Sequence, residues 1–131
     1  NTKRIKVIQS LIKKNNLEVF IDFHSLNLTP GNFLKFNKIF EENKININDD
    51  FLKNFTILLN LYKKNKNKDL INIILFLTDY HFHNLKEIKF ENIEKVVENK
   101  SFVIKNINKF ISYNLNQNSL INAINNKLSN G

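Results

Sequence analysis

Glycine and proline are nearly absent from this chain, and their scarcity restricts the fold more than any other feature. The 131 residues contain two glycines and one proline. Strand architectures need many tight turns, and those turns depend on these two residue types. Helices can instead be started and stopped by Asn, Asp, Ser and Thr, which are plentiful here. We therefore expect an all-α fold, with a small N-terminal helical segment followed by an antiparallel helical bundle.

Two helices are predicted in the N-terminal third of the chain. Ile5, Ile8, Leu11 and Ile12 form an amphipathic pattern that the Asn15-Asn16 pair ends. A short apolar segment, residues 17–23, follows it.

The stretch LTPGNFLKF gives the strongest local signal for a helix start. Thr29 can cap the helix, and Pro30 stands at the first helical position, where its missing N–H costs nothing. The phenylalanines that follow fall on one face. A helix is therefore predicted from Pro30 to about Asn43.

Four or five further helices are predicted in the rest of the chain. Asp49 or Asp50 caps the first, and Asp69 caps a second that is apolar nearly all round from Leu70 to Leu77. Residues 91–112 form one long helix or two helices broken near 99–101. Asn116 caps the last, whose inward residues are expected to be Leu120, Ile121, Ile124 and Leu128.

These patterns divide the chain into residues 1–43 and residues 49–131, with the seam between Glu42 and Asp49. Because the chain begins at Asn1 and contains no Met, we expect it to be a piece of a longer polypeptide. No apolar run reaches the roughly 18 residues that a membrane span needs. We expect a cytoplasmic protein that has no membrane partner.

The net charge of +8 has two interpretations. A basic chain often binds nucleic acid. However, Lys, Asn and Ile dominate the composition and Arg occurs only at Arg4, which is typical of a protein encoded by an AT-rich genome. Such a bias raises the lysine content along the whole chain and would account for the charge without a function. The run KKNKNK contains Lys63, Lys64, Lys66 and Lys68, which form either a phosphate contact or a solvated loop. Aromatic residues do not interleave with this run, so the sequence does not support base stacking there.

The sequence offers little for catalysis or metal binding. Asp79 and His83 are one helical turn apart, but His81 lies about 200° from His83 and cannot join them. The chain has no Cys, no phosphate-binding glycine loop and no GxSxG motif. We expect no cofactor, no metal site and no small-molecule ligand, and we expect that the chain is not an enzyme by itself.

Thr29-Pro30-Gly31 and the terminal corner Asn114-Leu115-Asn116 stand at the two ends of the predicted bundle. These two motifs and the bundle between them resemble the C-terminal half of the delta-prime subunit of the bacterial DNA polymerase III clamp loader. Thr29-Pro30-Gly31 stands where the family has a small-residue, Pro and Gly turn, often Gly-Ser-Pro-Gly, before the last helix of its lid domain. The terminal corner Asn114-Leu115-Asn116 stands where the family has an Asn-Leu-Asp or Asn-Val-Asn turn before its last helix. Asn116 replaces the Asp of many members.

The resemblance implies a role in assembly. Residues 1–43 would be the end of the lid domain and residues 49–131 the collar domain, which holds the loader ring together through helical packing. The partners would be the other loader subunits, with any contact to DNA indirect. Leu115 would plug the terminal corner into the core, and Tyr113 and Leu120 are candidates for a partner face.

Two alternatives belong to other classes of function. One is a basic helical domain that binds nucleic acid through its lysines. The other is a helical scaffold module for an unspecified partner. An exposed apolar patch would favour assembly, whereas lysines gathered on one concave face would favour nucleic acid.

Overall fold

The computed structural model describes residues 2–21, 23–24, 28–88 and 93–129, and over these residues it is all-helical, which confirms the predicted fold class. The six helices are α1 (Thr2–Asn15), α2 (Pro30–Glu42), α3 (Phe51–Asn65), α4 (Lys68–Ile88), α5 (Ile93–Tyr113) and α6 (Gln117–Ser129). The described part contains no strand.

The chain forms two compact units, Asn1–Asp49 and Asp50–Gly131. The first contains α1 and α2, and the second contains α3 to α6. The lid-like and collar-like characters of the two segments stay predictions.

The start of α2 follows the prediction made from LTPGNFLKF. The Thr29 hydroxyl accepts a hydrogen bond from the backbone N–H of Asn32 at 3.2 Å, and Pro30 is the first helical residue. A side-chain oxygen at this position satisfies one of the N–H groups that the first helical turn leaves without a partner. The helix ends at Glu42, one residue before the predicted end.

Polar side chains fix the chain segments beside α1 and α2. The Arg4 Nη1 donates to the carbonyl oxygens of Phe23 at 2.9 Å and Leu28 at 2.8 Å. The buried Asn37 bonds to the backbone of residues 18 and 20. The single arginine of the chain therefore stabilises the first unit by bridging two backbone segments.

The second unit is a closed four-helix bundle. Helix α3 packs on α4, α4 on α5, α5 on α6, and α6 on α3. Because connections of two to four residues join consecutive helices, neighbours run antiparallel. The helix predicted to be the most buried, α4, contributes more buried side chains than any other helix among the described residues: Leu70, Ile73, Ile74, Phe76, Leu77, Thr78 and Phe82.

This topology gives the bundle two distinct ends. The C-termini of α3 and α5 and the N-termini of α4 and α6 meet at one end, which we call the corner end. The opposite termini meet at the far end.

The corner between α3 and α4 differs from the prediction in two ways. Lys66 adopts the left-handed conformation, with φ of 53°, and ends α3. The Asn67 side-chain oxygen accepts from the N–H of Asp69 at 2.9 Å, so Asn67 caps α4 and the predicted cap at Asp69 is wrong. Lys63 and Lys64 lie within α3, so the predicted loop is a tight corner.

Three other predicted features can be compared directly with the structure. Asp50 caps α3, since its side chain accepts from the N–H of Lys53 at 3.1 Å, which decides between the two candidate caps. Helix α5 is continuous from Ile93 to Tyr113, so the single long helix is the correct alternative. The Asn116 side chain accepts from the N–H groups of residues 118 and 119, as expected of the cap of α6.

The terminal corner is a helix-ending motif that leaves Leu115 at the surface. Asn114 is left-handed, with φ of 50°, and the N–H of Leu115 bonds back to the carbonyl oxygen of Phe110 at 3.3 Å. This backbone closure is common where a helix ends. Leu115 is 47% exposed, so the prediction that it plugs the corner into the core is wrong. Phe110 and Leu120 are buried on either side of it and fill the bundle there.

Candidate interaction surfaces

Helix α5 carries apolar residues on two sides. Its core side is formed by Val96, Val103, Ile107 and Phe110, which are buried. A second row, which we call the α5 stripe, consists of Ile93, Val97, Ile104 and Ile111. Three of these are exposed, and Ile104 is half-buried.

The spacing of the α5 stripe places its residues on one side of the helix. Val97, Ile104 and Ile111 recur at every seventh position, and Ile93 lies one turn before Val97. Branched aliphatic residues at one position of each heptad form half of the pattern by which two α-helices pack together. The α5 stripe therefore has the spacing expected of a surface that contacts another helix.

The one charged residue in line with the α5 stripe is Lys100. Its Nζ lies 3.0 Å from Asp79 Oδ1 on α4. The pair is partly exposed, so its contribution to stability is about 0 to 1 kcal/mol. Because it draws the ammonium towards α4, the apolar row stays continuous from Val97 to Ile104.

The two residues predicted for a partner face occupy different environments. Tyr113 is 73% exposed, but it lies two residues beyond Ile111 and so about 200° round the helix from the α5 stripe. It lies beside Lys105 and Lys109, which line a shallow groove of about 510 Å³ with it. Leu120 is 5% exposed, so it belongs to the core rather than to the predicted partner face.

Positive charge is concentrated at the corner end. The corner half of the bundle, residues 58–77 and 103–122, contains one acidic residue, Asp69, and six lysines: Lys63, Lys64, Lys66, Lys68, Lys105 and Lys109. Its net charge is therefore +5. In the described side chains of the far half, four lysines oppose four acidic residues: Lys53, Lys95, Lys100 and Lys127 against Asp50, Asp79, Glu94 and Glu98. The corner half thus carries the excess charge.

A cavity of about 270 Å³ opens at the corner end. It is lined by Asn60, Lys63, Lys66, Phe110 and residues 114–118. The Gln117 amide nitrogen donates to the Asn60 side-chain oxygen, and the Gln117 side-chain oxygen is buried without a hydrogen-bond partner in the described chain. Lys66 Nζ lies 5.2 Å from the centre of the Tyr62 ring. The cavity therefore combines ammonium groups with side-chain amides.

The far end holds the residues that the sequence raised as metal ligands. His81 stacks on Phe51, with ring centres 4.4 Å apart, and both line a cavity of about 360 Å³. Asp79 pairs with Lys100. Within the described residues, no three His, Cys, Asp or Glu side chains are grouped so that they could hold a metal ion.

Sequence reasoning missed the α5 stripe and the contribution of Lys105 and Lys109. In the sequence, Ile93, Val97, Ile104 and Ile111 are separated round the helix from the core row. That angular separation was the available signal. The two lysines are one helical turn apart but far from KKNKNK in the sequence, and only the bundle topology brings them to the same end.

Among the helices described, none combines the length and apolar character needed to cross a membrane. Comparisons with models of protein families, with curated proteins and with solved structures found no match.

Proposed function

We propose that the chain is a non-catalytic assembly module of a bacterial replication clamp loader and that the α5 stripe docks on a helix of a neighbouring loader subunit. The observation that carries this proposal is the exposure of Ile93, Val97 and Ile111 along a face of α5 that lies roughly 85° round the helix from the face that fills the core.

The energetics favour a protein partner for the α5 stripe. Fully burying a Val or Ile side chain contributes about 1.5 to 3 kcal/mol relative to full exposure. The stripe residues are partly covered already, so each would contribute a fraction of that amount. Four such residues on one helix are enough to form the apolar centre of an interface whose rim is polar.

The order of elements agrees with the resemblance on which the proposal rests. A helix opened by Thr29 and Pro30 precedes a helical bundle, and the bundle closes with a corner capped by Asn116. In this assignment the first unit corresponds to the end of a lid domain and the second to a collar domain. The chain would act in the cytoplasm with the other loader subunits as partners. In this assembly role it would contact DNA indirectly, by way of the loader complex.

Reconstitution tests the proposal. The 131-residue chain is mixed with purified subunits of a bacterial clamp loader, and the mass of the complex is measured by light scattering while salt is raised. A stoichiometric complex that survives moderate salt is expected, because apolar burial is not screened. The absence of any complex, with each subunit folded by circular dichroism, would overturn the proposal.

A further inference from the structure

We propose that the corner end of the bundle binds the backbone of a single-stranded nucleic acid, with phosphates on Lys63, Lys66, Lys105 and Lys109 and a base stacked on Tyr113. This activity goes beyond assembly. Ile104 of the α5 stripe also lines the groove, but the lysines and Tyr113 lie outside the stripe, so substitutions at these residues test the two proposals separately.

The uneven distribution of charge is the first argument. A compositional bias towards lysine raises the charge of every part of a protein, yet the far half of the bundle has equal numbers of acidic and basic residues among its described side chains. The corner half carries +5. A field of one sign confined to one end attracts polyanions and orients them during the encounter.

The arrangement of the lysines on the surface is the second argument. The cavity that contains Lys63 and Lys66 lies beside the C-terminus of α5, and the groove that contains Lys105 and Lys109 runs along the C-terminal half of the same helix. In the proposed complex one strand passes over residues 114–118 and places phosphates on both pairs of lysines. Clustered lysines along a groove are typical of proteins that follow a nucleic-acid backbone.

The lysines are available to a ligand. In the described chain, Lys63, Lys105 and Lys109 form no ion pair with an acidic side chain. Lys66 rests against the Tyr62 ring, a contact that leaves its charge uncompensated. A bound phosphate would therefore displace solvent ions and not a protein carboxylate.

The amides of the cavity favour a nucleic acid over a lipid headgroup. Asn60, Asn114, Gln117 and Asn118 line it, and the buried Gln117 oxygen accepts no hydrogen bond from the described residues. That oxygen is closed to solvent, so the exposed amides of Asn60, Asn114 and Asn118 are the ones that a ligand can reach. A base edge or a sugar offers both hydrogen-bond donors and acceptors to such amides, whereas a lipid phosphate offers acceptors only.

Tyr113 supplies the aromatic surface that the lysine run lacks in the sequence. Its ring is 73% exposed and lies at the end of the groove beside Lys109. Stacking on an aromatic ring requires an unpaired base, which a single strand presents and a duplex does not. This argument selects a single strand as the ligand.

Fluorescence anisotropy of a labelled oligo(dT) of about 20 nucleotides tests the proposal on the whole chain. Four phosphate contacts predict that log K falls with log salt with a slope of about −3. The double variant Lys63→Gln/Lys66→Gln should reduce the slope to about −1.4, because two contacts are lost. The matched control Lys53→Gln/Lys95→Gln removes the same charge at the far end and should leave the slope near −3.

Tyr113 is tested by a pair of substitutions. Tyr113→Ala should weaken binding roughly 10-fold, whereas Tyr113→Phe, which keeps the ring, should bind as the unchanged chain does. Circular dichroism confirms that each variant is folded. The proposal is overturned if oligo(dT) does not bind at low salt, or if the two double variants change the slope equally. It is also overturned if Tyr113→Ala binds oligo(dT) normally. A further contradicting result is that the chain binds vesicles of phosphatidylserine and phosphatidylcholine instead of oligo(dT), and that this binding is lost in the Lys63→Gln/Lys66→Gln variant.

Discussion

The side-chain oxygen of Asn37 accepts a hydrogen bond from the backbone N–H of Phe20 at 2.7 Å. The nitrogen of the same amide donates to the carbonyl oxygen of Glu18 at 2.8 Å. Asn37 is buried among the phenylalanines of α2, so one amide replaces the backbone partners that residues 18 and 20 would otherwise find in a helix or sheet. This contact ties the non-helical segment after α1 to α2.

Replacing Asn37 with Ala should therefore lower the free energy of unfolding by about 2 kcal/mol or more, since two backbone groups lose their partner in a partly buried place. Chemical denaturation of the purified chain measures the change. Asn32→Ala on the same helix is the control, because the Asn32 side chain forms no hydrogen bond within the described part of the chain, and it should stay within about 0.5 kcal/mol. Equal losses in the two variants would mean that the Asn37 bonds contribute nothing specific.

Leu115 and Leu120 provide a second test, because they flank the same helix cap with opposite burial. Leu120→Ala should cost about 2 to 4 kcal/mol, as expected of a truncated core leucine. Leu115→Ala should cost less than about 1 kcal/mol, since the side chain is half exposed. Thermal unfolding ranks the two variants, and a Leu115 loss as large as the Leu120 loss would show that the terminal corner is packed into the core after all.

The left-handed backbone at Lys66 predicts a substitution that stabilises the protein. Glycine adopts positive φ without steric cost, so Lys66→Gly should raise the free energy of unfolding by about 0.5 to 1 kcal/mol. Lys64→Gly, two residues earlier within α3, should lower it by about 1 kcal/mol. Urea denaturation of both variants gives the two signs. Destabilisation by Lys66→Gly would indicate that the contact between Lys66 and the Tyr62 ring outweighs the backbone strain.

The helices were predictable because their ends depend on local chemistry. Thr29, Asp50 and Asn116 cap helices through hydrogen bonds to residues two or three positions on, so a short window of sequence contains the whole signal. Asn67 and Asp69 show where this reasoning ends. Both are good caps, and the choice between them depends on the left-handed conformation of Lys66. Lysine has no preference for this conformation, so the sequence does not predict it.

The interaction surfaces depend on the tertiary structure and could be predicted only in part. Tyr113 was predicted to lie at the surface and is exposed. Leu120 was predicted to face a partner but is buried in the core. The local sequence of α6 cannot distinguish an apolar residue that packs in the core from one that contacts a partner. The grouping of Lys63 with Lys109 requires the antiparallel order of four helices. Periodicity predicts each helix, whereas the neighbours of a helix follow from the topology.

Val97 and Val7 allow the α5 stripe to be tested with matched substitutions. Both valines lie on helices and are exposed to nearly the same degree, 42% for Val97 and 41% for Val7. A carboxylate at either position meets solvent in the free chain, so Val97→Asp and Val7→Asp should each leave the fold intact. In an interface, by contrast, an unpaired carboxylate buried at Val97 would be strongly unfavourable.

The most direct test of the central claim is the mass of the reconstituted loader complex, measured by light scattering with the unchanged chain, Val97→Asp and Val7→Asp. The account predicts that the unchanged chain and Val7→Asp enter a stoichiometric complex and that Val97→Asp elutes alone while remaining folded. Assembly of Val97→Asp at the mass of the unchanged complex would contradict the assignment of the α5 stripe as the docking face.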